Sequence, residues 1–222
     1  MSAKDRARKI KLVLFDVDGV MTDGTIFLFP APAGAPQALK EHKEEMAGKG
    51  GYAIHSQNVI EAKGFNAHDG AGISLAKLGG LKVGVITKRI SETVALRARD
   101  LKLDIVHQGI ADKGKCFAEI LEKEHLKADQ VAYVGDDIID LPIMRRCGLA
   151  IAVRNAREEV KDESHFVTDH DGGHGACRDA IEYILRAQGS LDRVTAQYIH
   201  DRSPGTGITI QRRRPVTRRG LD

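Results

Sequence analysis

Residues 12–24 read LVLFDVDGVMTDG. An unbroken apolar run, Leu12 to Phe15, gives way to Asp16, Asp18 and Asp23 on a turn that also holds Gly19 and Gly24. The run reads as a buried strand, and the acids stand where it leaves the core. Carboxylates crowded at such a place repel one another and resist burial, so they need a cation or a protonation partner.

Five further segments resemble that strand. KVGVITK (82–88), DIVHQG (104–109), QVAYVGD (130–136), LAIAVR (149–154) and HFVTD (165–169) join KLVLFDV (11–17) as short apolar stretches that do not alternate. Strands covered on both faces have this pattern. Helical patterns lie between them, at about 69–78, 91–101, 112–125, 140–147, 156–163 and 174–188. Ser91 is placed to cap one of these helices. Asn155, with Glu158 three residues on, has the spacing of a capping box for another. Strand and helix in regular alternation predict crossovers and a parallel sheet with helices on both faces. Residues 29–65, rich in Pro, Gly, Lys and Glu, and the chain after about 190 show no such pattern.

The bulk composition narrows the class. The chain has 222 residues, 42% of them hydrophobic and 29% charged, which suits one domain with an appendage. The net charge is only +3, and much of the excess lies in QRRRPVTRRG near the end, so charge gives no reason to expect a nucleic-acid partner. That basic stretch reads as a solvated extension. Cys116, Cys147 and Cys177 are scattered without CxxC spacing, which fits reduced core thiols in the cytoplasm. MSAKDRARKIK has no apolar segment of the kind a secretory signal carries, and no run approaches the roughly 20 apolar residues of a membrane span.

In a parallel sheet, ligands bind beyond the carboxyl ends of the strands. Asp16 and Asp18 follow the first strand, Thr87, Lys88 and Arg89 the second, Asp112 and Lys113 the third, and Asp136, Asp137 and Asp140 the fourth. Strand residues two apart face the same side, so one of Asp16 and Asp18 can attack while the other handles a proton. Asp16 and Asp136 can share a hard cation such as Mg²⁺, which takes oxygen ligands. Thr87 can donate to a phosphoryl oxygen, and Lys113 can balance its charge. Phosphoryl transfer depends mainly on such positioning and electrostatics. Asp140 reads equally as a helix cap or as a support for Lys113 or the metal shell. Asp23 reads as a turn residue, and His68 and His174 as polar loop residues.

DVDGVMTDG, VITKR, ADK and VGDDIID, in that order, resemble the four motifs of the haloacid dehalogenase superfamily. FNAHDGAGI (65–73), YVGDDIIDLPIM (133–144), GGHGACRDAIEYIL (172–185) and GTGITI (205–210) are similar to the branch of 3-deoxy-D-manno-octulosonate 8-phosphate phosphatases and related nine-carbon sugar-acid phosphatases. The resemblance implies an α/β fold: a three-layer, Rossmann-like parallel sheet with a β-hairpin flap in place of a large cap. It divides the chain into a core at 1–190, with an extended flap at about 27–64, and a Gly/Arg-rich tail at 191–222.

The resemblance also implies a Mg²⁺-dependent phosphomonoesterase for an acidic 2-keto sugar phosphate, acting through an aspartyl-phosphate. Asp16 would be the nucleophile and Asp18 the acid/base, with Thr87 and Lys113 on the phosphoryl group. Mg²⁺ would be held by the Asp16 and Asp136 side chains and the Asp18 carbonyl. Substrate contacts would map onto Asp18, Asn66, Ala67, His68, Asp69, Gly70, Arg89, Arg97, Lys113 and Asp137. A cytoplasmic homotetramer is implied, in which hairpin and tail of neighbours help close the site.

The chain departs from the branch in five places. Arg is usual at His68, near Ser74 and at His174, Lys88 stands where motif II has Gly, and the segment between Phe27 and Gly64 is much longer. Arg makes permanent bidentate contacts that His does not, so a different sugar phosphate, such as a nine-carbon 9-phosphate, is an alternative substrate. A non-catalytic oligomerisation module of the same branch is a further alternative, although it would be expected to have eroded motifs. A phosphoryl-receiving signalling domain would have no use for Asp18.

Overall fold

The first strand, β1 (Leu12–Phe15), is wholly buried and sits inside a six-stranded sheet. The structure is a computed structural model and describes residues 1–31, 52–53 and 59–201. The remaining strands of the sheet are β5 (Lys82–Ile86), β7 (Ile105–His107), β8 (Val131–Gly135), β9 (Leu149–Ala152) and β10 (Phe166–Val167). Their order is β10-β9-β8-β1-β5-β7, and every pairing is parallel. β1 is registered on both neighbours, with Leu12 opposite Val131 on one side and Lys82 on the other. The expected parallel sheet is therefore present. Its two edge strands are shorter than the apolar runs that announced them.

Parallel strands need crossover connections, and helices supply them. These are α2 (Ala67–Leu78), α3 (Glu92–Asp100), α4 (Lys113–Lys123), α5 (Leu141–Met144) and α6 (Glu158–Asp162); α1 (Ala3–Ala7) precedes β1, and α7 (Ala176–Ala187) follows β10. Helix α2 packs against α7, and the core runs from β1, β8 and β9 into Ile73, Phe117, Ile143, Ile181 and Ile184. Cys116, Cys147 and Cys177 are free and buried.

Four local readings change. Residues 191–201, assigned to an irregular tail, form α8 (Leu191–Asp201); Val194 is buried and Leu191 and Tyr198 pack on the core, a helical spacing of apolar contacts. The helix expected at 140–147 is a 3₁₀ turn, Ile138–Asp140, followed by the short α5. Asn155 caps no helix: Arg157 is the N-cap of α6, and the Asn155 Oδ1 instead accepts from the Gly172 amide at 2.9 Å. Ser91 is the N-cap residue of α3, but its hydroxyl makes no capping bond.

The segment ahead of α2 carries the flap. β2 (Phe27–Pro30) pairs antiparallel with β4 (Val59–Ala62), with Phe27 opposite Ala62 and Pro30 opposite Val59. A second small pairing sets β3 (Tyr52–Ala53) parallel to β6 (Arg89–Ile90). Most of the long insertion, residues 32–51 and 54–58, and the GTGITI stretch at 205–210 lie outside the described residues.

The GGHGA loop packs directly on the DVDG loop. The Gly173 amide donates to the Val20 carbonyl at 2.9 Å, and a β-carbon on Gly172 would fall 1.6 Å from the Gly19 carbonyl oxygen. The clash is with backbone and cannot be relieved by a rotamer change. Gly172→Ala is expected to cost about 1–3 kcal/mol of stability, read as a lowered urea midpoint. An unchanged midpoint would mean that the two loops do not stack as described.

Candidate active site

The carboxyl ends of β1, β5 and β8 converge on one rim. Asp16 follows β1, and its amide continues the ladder to the Val134 carbonyl at 3.0 Å. Thr87 follows β5, its backbone tied to the His107 carbonyl at 2.9 Å and the Ile110 amide at 3.1 Å. Asp136 follows β8. Lys113 arrives from the side as the first residue of α4, which Asp112 caps by accepting from the Lys115 amide at 2.8 Å.

Lys113 is the hub of the cluster. Its buried ammonium lies 2.8 Å from Asp16 Oδ1 and 2.7 Å from Asp140 Oδ1, and it donates to the Tyr133 hydroxyl at 3.2 Å. The Tyr133 hydroxyl in turn donates to Asp140 Oδ1 at 2.7 Å. The other Asp140 oxygen accepts from the amides of Asp136 at 3.0 Å and Asp137 at 3.3 Å. Both Asp140 oxygens are thus occupied. Asp140 supports Lys113 with one oxygen and, with the other, accepts from the Asp137 amide in the capping box of the 3₁₀ turn. Burial alone would pull the Lys113 pKa down, but the carboxylates of Asp16 and Asp140 outweigh it and hold it above the ordinary lysine value.

The acids feel the opposite balance. Burial, followed by repulsion from Asp140, raises Asp16 to about 7 against the opposing pull of Lys113. Burial, followed by repulsion from Asp16, Asp140 and Asp137, raises Asp136 to about 8. Oxygens of Asp16, Asp136 and Asp140 lie within 4.8 Å of one another, and Asp136 Oδ1 is buried with no hydrogen-bond partner among the described residues. Because donors already occupy Asp140, the pair open to a cation is Asp16 and Asp136. An all-oxygen donor set suits a hard divalent ion. Gly19 makes the room: its φ is +93°, and a β-carbon there would lie 2.1 Å from Asp136 Oδ2.

Asp18 points to a different pair of cations. Its Oδ1 meets the Lys63 ammonium, and its Oδ2 lies 3.2 Å from Arg89 Nε. Lys63 directly follows β4 and also faces Glu61 at 3.7 Å. The Thr87 hydroxyl oxygen accepts from the Arg89 amide at 3.3 Å, which leaves its own hydrogen to donate elsewhere.

The remaining expected contacts are spread over the start of α2, α3 and the turn after β8. Asn66 caps α2 by accepting from the His68 amide at 2.8 Å, and Ala67 and His68 are exposed on its first turn. Asp69 is buried; one oxygen accepts from the Arg178 amide at the start of α7 at 3.0 Å, and burial raises its pKa. Gly70 lies under Arg97, a guanidinium nitrogen of which would sit 2.8 Å from an added β-carbon. Arg97 also pairs with Asp100 at 2.6 Å and lies over the Phe65 ring. Asp137 caps the 3₁₀ turn through the Ile138 amide at 2.7 Å. His174 bonds the Gly172 carbonyl at 2.9 Å.

Sequence reading missed Tyr133 and Lys63. Tyr133 had a visible signal, a lone hydroxyl within the buried strand VAYVG, and a buried hydroxyl needs a partner. Lys63 had none, because it ends a segment without periodicity.

A sequence profile of haloacid dehalogenase-like hydrolases matches residues 82–178. The 3-deoxy-D-manno-octulosonate 8-phosphate phosphatase of Escherichia coli K12 is 34% identical over 194 residues, covering 87% of this chain and 89% of that protein. The chain belongs to the haloacid dehalogenase-like hydrolases. Within that family it falls in the branch of the octulosonate 8-phosphate phosphatases, and it is a phosphatase. The crystal structure of such a phosphatase from Yersinia pestis is 34% identical, with a TM-score of 0.71 over 86% of this chain and 88% of that one. A second, from Moraxella catarrhalis in complex with magnesium ion, phosphate ion and a KDO molecule, is 31% identical, with a TM-score of 0.73 over 88% and 97%. In this haloacid dehalogenase-like chain, the acids, threonine and lysine of the family's four motifs lie at adjacent strand and helix ends.

The raised acids give a test of cation binding. From the ordinary carboxylate pKa up to about 7 for Asp16 and about 8 for Asp136, the metal-free folded chain keeps protons that the unfolded chain releases. Their contribution to stability is therefore present at low pH and lost as pH rises through that window. A divalent cation at the same acids should offset the loss. Mg²⁺ is expected to raise Tm more at about pH 8 than at about pH 5. Equal gains at both would remove the cation from these carboxylates.

Proposed function

We propose that the chain is a Mg²⁺-dependent phosphomonoesterase that removes the terminal phosphate of an acidic 2-keto sugar phosphate of the 3-deoxy-D-manno-octulosonate 8-phosphate type. The observation that carries this reading is the pinning of one Asp16 oxygen by Lys113 at 2.8 Å. That contact fixes the carboxylate and leaves Oδ2 as the attacking atom. The name of the Escherichia coli relative, and the magnesium, phosphate and sugar acid in the Moraxella complex, support the substrate and the metal.

In the first step the Asp16 Oδ2–phosphorus bond forms and the bond from phosphorus to the sugar oxygen breaks. Asp18 gives that oxygen its proton. In the second step water attacks the aspartyl-phosphate, Asp18 takes the water's proton, and Asp16 is released with inorganic phosphate. Lys113 and the Thr87 hydroxyl stabilise the phosphoryl oxygens as charge spreads over them. When bound by Asp16, Asp136 and the Asp18 carbonyl, Mg²⁺ supplies positive charge against the phosphoryl group.

Arg89 and Arg97, with the turn from Asn66 to Gly70 and Asp137, form the recognition side. A homotetramer in the cytoplasm fits the exposed face of β2, where Phe27, Leu28 and Phe29 are each about half exposed. The free thiols fit the same compartment. A second substrate is favoured by one arrangement: the insertion runs beside Arg89 through the β3–β6 pairing. Together with His68, His174 and Lys88 in place of the usual residues, this favours a nine-carbon sugar-acid 9-phosphate as the alternative.

Phosphate release from a panel holding the octulosonate 8-phosphate, a sialate-type 9-phosphate and hexose phosphates tests the assignment. A preference for the octulosonate supports the first substrate, and turnover of another ester alone replaces it. Asp16→Asn should lose essentially all turnover while remaining folded at 25 °C by circular dichroism, with a lowered Tm because Lys113 loses one of its two buried carboxylates. Residual activity above a few per cent would remove Asp16 as the nucleophile. EDTA should abolish turnover, and Mg²⁺ should restore it.

A further inference from the structure

Lys63 is a cation buried at the foot of the flap. Its side chain is 0% exposed, whereas those of its neighbours Asp18 and Arg89 are 27% and 17% exposed. Burying an ammonium is costly unless it is paired, and its partners are Asp18 Oδ1 and Glu61. Glu61 lies on β4 opposite Leu28, and its carbonyl accepts from the Thr93 hydroxyl at 3.1 Å, which ties the flap to α3. Among the described residues, its Oε1 has no hydrogen-bond partner and lies 3.7 Å from the lysine. The flap therefore delivers a fixed positive charge to one oxygen of Asp18. The more exposed Arg89 holds the other.

We infer that Lys63 is a positioning residue for the chemical step: it anchors Asp18 Oδ1 so that Oδ2, once Arg89 turns to the substrate, faces the leaving-group oxygen. This rests on the proposed roles of Asp16 and Asp18. As the Asp16–phosphorus bond forms, the electron pair of the breaking phosphorus–oxygen bond goes to the sugar oxygen, and the proton on Asp18 Oδ2 passes to it. The carboxylate left behind stays paired with Lys63, aimed to take a proton from the incoming water. A flap strand would thus set the geometry of the acid as well as cover the site.

The leaving group separates this role from a purely structural ion pair. A sugar alkoxide cannot depart without a proton, whereas p-nitrophenolate can. Lys63→Met and Lys63→Gln are expected to lower kcat on the sugar phosphate that the wild-type chain turns over fastest by about 10²-fold, the scale of a positioned acid. KM should change little, and p-nitrophenyl phosphate turnover should fall only a few-fold. The ratio of the two activities in one sample does not depend on the fraction folded, so partial misfolding leaves the readout intact. Lys63→Arg should restore most of the ratio. Parallel losses on both esters, or no loss on either, would overturn the inference. A wild-type chain that releases phosphate from neither ester would overturn the phosphatase reading itself.

Discussion

The site depends on one buried ammonium held between two carboxylates. Lys113 reaches the rim from a helix N-terminus and meets Asp16 and Asp140 at hydrogen-bonding distance. None of the three is stable there alone, since removing one partner of a buried pair costs about 3–5 kcal/mol. The surroundings complete the arrangement: Tyr133 and two backbone amides occupy Asp140, leaving it no further role. Asp136 is left over, with an oxygen that nothing in the described protein satisfies. The excess of acid over base at this point matches a site built for a cation and a phosphoryl group, each cancelling part of the other's charge.

Backbone packing makes this concentration of charge possible. Two glycine turns are stacked behind the acids, the DVDG loop against the GGHGA loop, at distances that no side chain tolerates. Asp69 serves the same layer from another direction. It sits on the turn expected to face substrate, yet one of its oxygens accepts from the Arg178 amide at the start of α7. The turn at residues 66–70 and the glycine loop are therefore fastened to each other through a helix end, where the exposed amides favour a negative charge.

Much of the fold could be read from the sequence because buried parallel strands are apolar throughout and their ends are marked by acids. Asp16, Thr87, Lys113 and Asp136 each followed such a run. Asp140 could not be assigned from sequence, because spacing shows its distance from Asp136 but not the lysine that reaches it from 27 residues earlier. Asn155 has the spacing of a cap and is used instead to hold Gly172, a contact that depends on how two loops are stacked. Lys63 and α8 lay in stretches judged irregular from composition. Tertiary packing decides both: Lys63 is defined by its burial beside Asp18, and α8 by the seating of Val194 on the core.

The pairing of Tyr52–Ala53 with Arg89–Ile90 bears on how the insertion meets the core. Asp16, Thr87, Lys113 and Asp136 stand at strand and helix ends of the sheet. The flap meets that frame through the β3–β6 ladder at Arg89, and through Lys63 and Glu61 at Asp18 and Thr93. The strand of Arg89 is thus the place where the long insertion and the phosphatase core share backbone hydrogen bonds.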